Sequence, residues 1–303
     1  MKLEILAAAY NGEKFIKQQL ESVLTQTYEN WHMTICDDCS TDGTKTLLDE
    51  YAKKYADKIS IVYNTKNLGV KKTFFKLLSV TDADHIMFCD QDDIWNSDKI
   101  QKTLDCMLEN ENNSPLLVHT DMSVINEAGE LISPSFHQMQ SIDASKNSLN
   151  RIVVQNTVTG CSMMINRELA KLIKEPSCNT LHDWWIALTA SALGKIVFLP
   201  EATMQYRRHT ANIRGARSMS DPKYILNRAK DKNDARFMLE LGFIQSTEFA
   251  EIYKSRLSNA QYELLTEYGS MISKNKISKI KTALKYKTWK QGAVRVLGQL
   301  IYM

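Results

Sequence analysis

Short apolar runs alternate with longer amphipathic stretches through the N-terminal part of the chain. Leu3–Ala9, Trp31–Cys36, Ile59–Tyr63 and Ile86–Cys89 are apolar and of strand length. Between them, Phe15, Ile16, Leu20, Val23 and Leu24 recur at helical spacing. So do Leu47, Leu48 and Tyr51, and then Phe74, Phe75, Leu77 and Leu78. Polar turns join the two kinds of segment at Tyr10-Asn11-Gly12-Glu13, at Asp37 to Thr44 and at Asn67-Leu68-Gly69. Strands alternating with helices predict βαβ units and a mostly parallel sheet flanked by helices.

The pattern continues with a strand at Leu116–Thr120 and a turn at Asn126–Gly129. The polar, weakly patterned segment Ser133–Asn150 reads as a mobile loop. A strand follows at Ser162–Ile165, and Asn166 is placed to cap a helix running through Leu172. His182-Asp183-Trp184-Trp185 opens a helix that Gly194 ends, Ile196–Leu199 is a strand, and Gly215 reads as a hinge. From about Ser218 the composition changes, and Asp221–Tyr268 reads as charged helices. No acidic residue follows Glu267, whereas Lys274, Lys276, Lys279, Lys281, Lys285, Lys287, Lys290 and Arg295 are interleaved with Ile277, Leu284, Trp289, Leu297 and Ile301. Two parts are therefore expected, an α/β domain over 1–217 and a helical extension over 218–303. The extension's basic amphipathic pattern suits a membrane surface or an oligomer contact.

Composition narrows the classes. The 303 residues are 44% hydrophobic and 24% charged, as in soluble globular proteins, and the net charge of +3 is too mild to argue for nucleic acid. Met1–Leu6 has Glu4 inside its apolar run, unlike a signal peptide, and no stretch approaches the ~18 apolar residues of a membrane span. The six scattered cysteines read as reduced thiols. Cys36 and Cys39 have C-x-x-C spacing, but no second ligand pair accompanies them. A cytoplasmic protein is expected, peripheral at the inner membrane face if the tail binds lipid.

Candidate chemistry lies where strands end. Ile86–Cys89 runs directly into Asp90, Asp92 and Asp93. Bunched carboxylates repel unless a cation sits among them, and hard divalent cations take oxygen ligands shared with nucleotide phosphates. Asp90 and Asp93 are the metal-ligand candidates, with His209 as a third. A capped turn, with Asn96 or Ser97 opening the next helix, is the alternative. Asp37 and Asp38 end the second strand, and Asp183 begins a helix, where the dipole favours the carboxylate a general base needs. Trp184 and Trp185 either face a sugar ring or belong to the core. Arg207 and Arg208 can neutralise a leaving diphosphate. G-x-G-x-x-G, G-x-x-x-x-G-K-[ST] and G-x-S-x-G motifs are all missing, so phosphates must be held by side chains and a metal.

Several segments, in order, resemble family 2 glycosyltransferases. Ala8–Phe15, Leu20–Tyr28 and Asp37–Thr44 resemble the family's opening, and Asp90–Trp95 looks like its D-x-D region. Asn156–Met164, His182–Trp185 and Tyr206–His209 resemble a bacterial subgroup that includes rhamnosyltransferases of cell-wall and capsule synthesis. The likeness spans roughly Leu3 to Gly215. It implies a GT-A fold and inverting, Mn²⁺- or Mg²⁺-dependent transfer from a nucleotide-diphosphate sugar, dTDP-rhamnose or a UDP-hexose, to a glycan, glycolipid or glycoprotein. By the same likeness Tyr10 and Asp38 would hold the nucleobase, Asp92 would sit near the ribose and Asp93 would bind the metal. Ala8, Asn11, Glu13 and Lys71 would lie on the donor side, Thr159 and Gly160 on the acceptor side, and Asp183 would be the base. Cys39 stands where the family usually has Gly, and His182 where many relatives have Glu. A non-catalytic nucleotide-sugar binder or scaffold and a sugar nucleotidyltransferase remain as alternatives.

Overall fold

The computed structural model describes residues 1–209 and 232–303. The hinge expected at Gly215, the boundary expected between 217 and 218, and the helical reading of 221–231 lie outside the described residues. Two compact units are present. The first comprises Met1–Phe136, Val158–Glu175 and Ile196–Ala216, and the second His137–Thr157, Pro176–Lys195 and Arg217–Met303. The second unit thus draws in two segments upstream of the tail, in addition to the expected extension.

The first unit is built on a mixed sheet. Its strands are β1 (Leu3–Ala9), β2 (Trp31–Asp37), β3 (Ile59–Tyr63), β4 (His85–Cys89), β5 (Ile94–Trp95), β6 (Leu116–Ile125), β7 (Leu131–Ser133), β8 (Met163–Asn166) and β9 (Lys195–Arg207). The order is β3-β2-β1-β4-β8-β6-β9-β5, with β7 on β6. Pairing is parallel across β3-β2-β1-β4 and antiparallel for β4-β8, β8-β6, β6-β7 and β9-β5. The parallel part is therefore the N-terminal half, as the βαβ pattern predicts. Helices α1 (Ile16–Leu24), α2 (Thr44–Lys54), α3 (Val70–Val80) and α4 (Lys99–Asn110) pack on this sheet. Covered on both faces, β1 and β4 are buried almost throughout, which explains their uninterrupted apolar runs. Asn166 caps the short α7 (Arg167–Ala170) as expected, its Oδ1 accepting the Leu169 N–H at 3.0 Å.

β9 is longer than its sequence suggests. Pro200 and Glu201 interrupt the apolar pattern after Leu199, yet the strand continues to Arg207 because Met204 and Gln205 pair with Trp95 and Ile94. That pairing carries the strand's end back to the Asp90–Asp93 loop.

The second unit is helical. It holds most of α5 (Phe136–Gln140), then α6 (Leu149–Ile152), α8 (His182–Leu193), α9 (Lys232–Ile252), α10 (Asn259–Gly269), α11 (Lys276–Tyr286) and α12 (Ala293–Tyr302). Ser133–Asn150, expected as a loop, contains α5, and His137 Nε2 lies 3.2 Å from the Thr157 carbonyl. α8 is apolar nearly all round and is a core helix. Trp185 packs edge-on to Phe249 at 5.3 Å, and Phe243 packs on Tyr268 at 5.1 Å. Where α10 meets α9, a Cβ on Gly269 would stand 2.2 Å from Thr247 Oγ1 and 3.1 Å from its backbone nitrogen, so the approach needs glycine.

Candidate active site

Register brings the polar turns together. Ala9 is opposite Asp37 and Ala7 is opposite Cys89, so β1, β2 and β4 end at one edge, with Tyr10, Asp38 and Asp90 the first residues beyond them. Open α/β sheets bind ligands at this edge. Gln91 locks the first turn. Its Oε1 accepts the Tyr10 N–H at 2.8 Å and its Nε2 donates to the Tyr10 carbonyl at 3.0 Å. Gly12 lies against the same side chain, where a Cβ would meet Gln91 Oε1 at 2.4 Å. The Tyr10 ring stays exposed.

Asn11 takes a left-handed φ of 48°, which asparagine tolerates, and its Oδ1 accepts the Thr41 N–H at 2.8 Å. Cys39 has φ of 65°. The position favours glycine, and the cysteine is held there by a thiol hydrogen bond to the Asn64 carbonyl at 3.0 Å. Glu13 braces the loop, since its Oε2 accepts the Gly43 N–H at 2.8 Å.

Asp38 is also a brace. Its Oδ1 accepts from Asn64 Nδ2 at 2.7 Å and from the Leu68 N–H at 2.8 Å, and its Oδ2 accepts the Gly69 N–H at 2.8 Å. These bonds fix the loop that delivers Lys71 into the first turn of α3. Asp37 is equally buried. Its Oδ2 accepts the Ser40 N–H at 3.1 Å, whereas its Oδ1 has no hydrogen-bond partner. Asp38, expected at the nucleobase, thus has both oxygens engaged by protein donors, whereas Asp37 keeps one oxygen without a partner.

The three clustered aspartates divide by direction. Asp93 is fully buried, and its Oδ1 accepts the Arg207 N–H at 3.0 Å. Burial pushes its pKa well above the carboxylate range, and the charges of Asp92 and Asp90 push the same way. One oxygen of Asp90, one of Asp93 and Cys161 Sγ lie within 4.8 Å of one another. Burial raises the Cys161 thiol well above its usual pKa, so it is protonated at neutral pH. The turn carrying Thr159 and Gly160 sets Cys161 there, with Ser162 N–H and Oγ both donating to the Thr159 carbonyl. Asp92, by contrast, faces His209, Oδ2 to Nε2 at 2.7 Å, with both side chains partly exposed. His209 was expected to join Asp90 and Asp93. The structure joins it to Asp92.

Arg207 also departs from its expected placement. It is 2% exposed, and its donors go to protein: Nε to the Asp92 carbonyl at 2.9 Å, Nη1 to the Glu127 carbonyl at 3.1 Å and Nη2 to Gln18 Oε1 at 2.7 Å. Its guanidinium sits 4.9 Å from the centre of the Phe15 ring, which also packs on His209 at 4.9 Å. It braces the loop rather than standing open at the edge. Arg208 is half-buried, with its N–H donated to the Ile125 carbonyl at 2.9 Å. Ala8 lies within β1 opposite Cys36 and can offer only backbone and methyl.

In the second unit, Asp183 is half-buried in the first turn of α8, where its Oδ1 accepts the Trp184 N–H at 2.6 Å. Trp184 and Trp185 are core residues, and Trp184 Nε1 donates to the Ile152 carbonyl at 2.7 Å. Both rings are buried within the helical unit, which matches the core reading of the two alternatives given above. Gln91, Phe15 and Gln18 were missed, and only their distant partners reveal their roles.

A family model described as Glycosyl transferase family 2 matches residues 4–172. This chain belongs to glycosyl transferase family 2. It is 30% identical over 230 residues to the dTDP-rhamnosyl transferase RfbG of Shigella flexneri, covering 72% of this chain and 76% of that one. It is also 30% identical over 191 residues to an Escherichia coli protein named UDP-Glc:alpha-D-GlcNAc-diphosphoundecaprenol beta-1,3-glucosyltransferase WfgD, covering 62% and 68% of the two chains. Among solved structures, the mannosyltransferase PcManGT of Pyrobaculum calidifontis, in complex with GDP-Man and Mn²⁺, aligns with a TM-score of 0.57 at 15% identity, over 99% of this chain and 86% of that one. The fold is thus GT-A-like, and the protein is a glycosyltransferase.

Proposed function

We propose that this glycosyltransferase moves a sugar, rhamnose in the first instance and otherwise a hexose, from a pyrimidine nucleotide-diphosphate donor to a hydroxyl of a glycan or glycoconjugate, with inversion. The observation that carries the reading is the meeting of the β1, β2 and β4 ends in one unit, with an exposed Tyr10, an Asp37 oxygen lacking a partner and the Asp92–His209 pair at that edge. Tyr10 stacks on the base. Asp37 Oδ1 is an acceptor, which suits the imide N–H of thymine or uracil. The 30% identity to a dTDP-rhamnosyl transferase supports rhamnose, and the relative named for a diphosphoundecaprenol substrate supports a lipid-linked acceptor.

Oxygen donors on the acidic loop support a hard divalent cation as the partner of the diphosphate. In this reading the loop would hold the ion through Asp90 and the Asp92–His209 pair, since the Cys161 thiol that lies with Asp90 and Asp93 is protonated and does not suit Mg²⁺ or Mn²⁺. When bound there, the ion supplies charge for the leaving diphosphate. Asp183 takes the proton of the acceptor hydroxyl. That oxygen forms the new bond at the anomeric carbon as the bond to the diphosphate breaks, and the configuration inverts because the two lie on opposite faces. No second carboxylate nucleophile is needed.

The test is a donor screen by thermal shift and transfer, with and without Mn²⁺, using dTDP-rhamnose, UDP-glucose, UDP-galactose and UDP-N-acetylglucosamine. One donor should stabilise the wild type and be transferred, and Asp183→Asn should keep the stabilisation and lose the transfer. No response to any donor, or full transfer by Asp183→Asn, would overturn the assignment.

A further inference from the structure

The last two helices leave apolar stripes uncovered. On α11, Ile277 and Leu284 are 69% and 62% exposed, and Lys281 stands between them on the same face at i, i+4 and i+7. On α12, Val294, Leu297 and Ile301 are 44%, 58% and 56% exposed and share one face at i, i+3 and i+7. Single exposed apolar residues are ordinary, but two aligned stripes in consecutive helices are not. The opposite side of α12 is anchored: Gln299 is buried and donates to the Thr288 carbonyl at 2.9 Å, and Arg295 Nη2 bonds to the Gln140 carbonyl and to its Oε1. The outward face is therefore fixed by packing.

Charge identifies what covers these stripes. Residues 268–303 contain eight Lys and Arg and no Asp or Glu. Lys274 and Lys285 pair with Glu267 and Glu263. Lys276, Lys281 and Lys287 are exposed and form no ion pair among the described residues. A cavity of about 530 Å³ at the start of α12 has the same sign, with Lys146, Arg151 and Lys290 against the single carboxylate of Asp143. A second copy docking through its own tail would set cations against cations, because a two-fold contact pairs a patch with itself. None of the described helices is long and apolar enough to cross a membrane. Apolar stripes flanked by unpaired lysines, on helices that cannot span, suit the headgroup region of an anionic bilayer.

We infer that α11 and α12 seat this protein on an anionic lipid surface. Leu297 and Ile301, with Ile277 and Leu284, enter the boundary of the acyl chains, while Lys276, Lys281 and Lys287 meet phosphate headgroups. Neither the sugar donor nor the metal takes part in this contact, so its failure would leave the transferase assignment standing.

The test is cosedimentation of the full chain with vesicles of phosphatidylcholine alone and of phosphatidylcholine with phosphatidylglycerol. Binding should require phosphatidylglycerol and be lost near 1 M salt, where screening acts within about 3 Å. Leu297→Glu with Ile301→Glu, and separately Lys276→Glu with Lys281→Glu, should each weaken it at least about tenfold. The lysine positions are exposed, so that variant keeps its circular dichroism even if the first does not. Absence of binding at low salt, equal binding to both vesicles, or unchanged binding by the lysine variant would overturn the inference. So would a concentration-dependent dimer in sedimentation equilibrium that Leu297→Glu with Ile301→Glu dissolves, since the stripe would then belong to a second copy.

Discussion

His209 Nε2 lies 2.7 Å from Asp92 Oδ2, although the two residues are far apart in the chain. Neighbouring Asp93 points the other way, into the protein, and takes the Arg207 N–H. Metal binding should therefore separate the two carboxylates. Asp92→Asn and His209→Ala should each weaken Mn²⁺ binding in the presence of the nucleotide by at least about tenfold. Asp93→Asn keeps an acceptor oxygen for Arg207 and should lose far less. Titration calorimetry, or Mn²⁺ paramagnetic resonance, distinguishes them, and equal losses at Asp92 and Asp93 would contradict this division.

The adjacent aspartates of β2 should differ in the same manner. Three donors converge on Asp38, so Asp38→Asn turns an amide nitrogen toward one of them and should cost about 1–3 kcal/mol, read as a lowered Tm. Asp37→Asn should melt closer to wild type but weaken UDP or dTDP, because an amide that turns its nitrogen toward the base opposes the imide N–H. Unchanged nucleotide affinity in Asp37→Asn would remove that residue from the base site.

Trp184 should behave as a core residue. Trp184→Phe strands the buried Ile152 carbonyl and should destabilise the protein by about 1–2 kcal/mol in urea unfolding. KM for the acceptor should not move. A raised acceptor KM with unchanged stability would restore the ring to the sugar site.

His182 makes stability pH-dependent. Burial lowers its pKa from 6.5 to about 3. Between these values the unfolded chain binds a proton that the folded one does not. Stability is thus fully present above pH 6.5 and is lost as the pH falls toward 3, by on the order of 5 kcal/mol at most. His182→Asn should flatten urea midpoints over that interval, and an equally steep profile in the variant would show that other groups carry the slope.

The alternation of β1 to β4 with α1 to α3 was legible in the chain, because a buried parallel strand and an amphipathic helix each leave a local period. The sequence also placed the acidic turns at strand ends, since few polar residues interrupt the runs before them. It could not say which way each carboxylate of Asp90–Asp93 points. That was decided by the antiparallel pairing of β5 with β9, which brings Arg207 and His209 to the loop from a remote part of the chain. Arg207 illustrates the same limit. An arginine beside a histidine near an acidic motif suggests a phosphate ligand, yet the carbonyls of Asp92 and Glu127 claim its donors first. Trp184 and Trp185 are neighbours of a candidate base in sequence, but α8 is covered nearly all round, so its tryptophans go to the core. Periodicity reports what each segment needs to bury. Only the packed structure sets which distant groups satisfy its polar atoms.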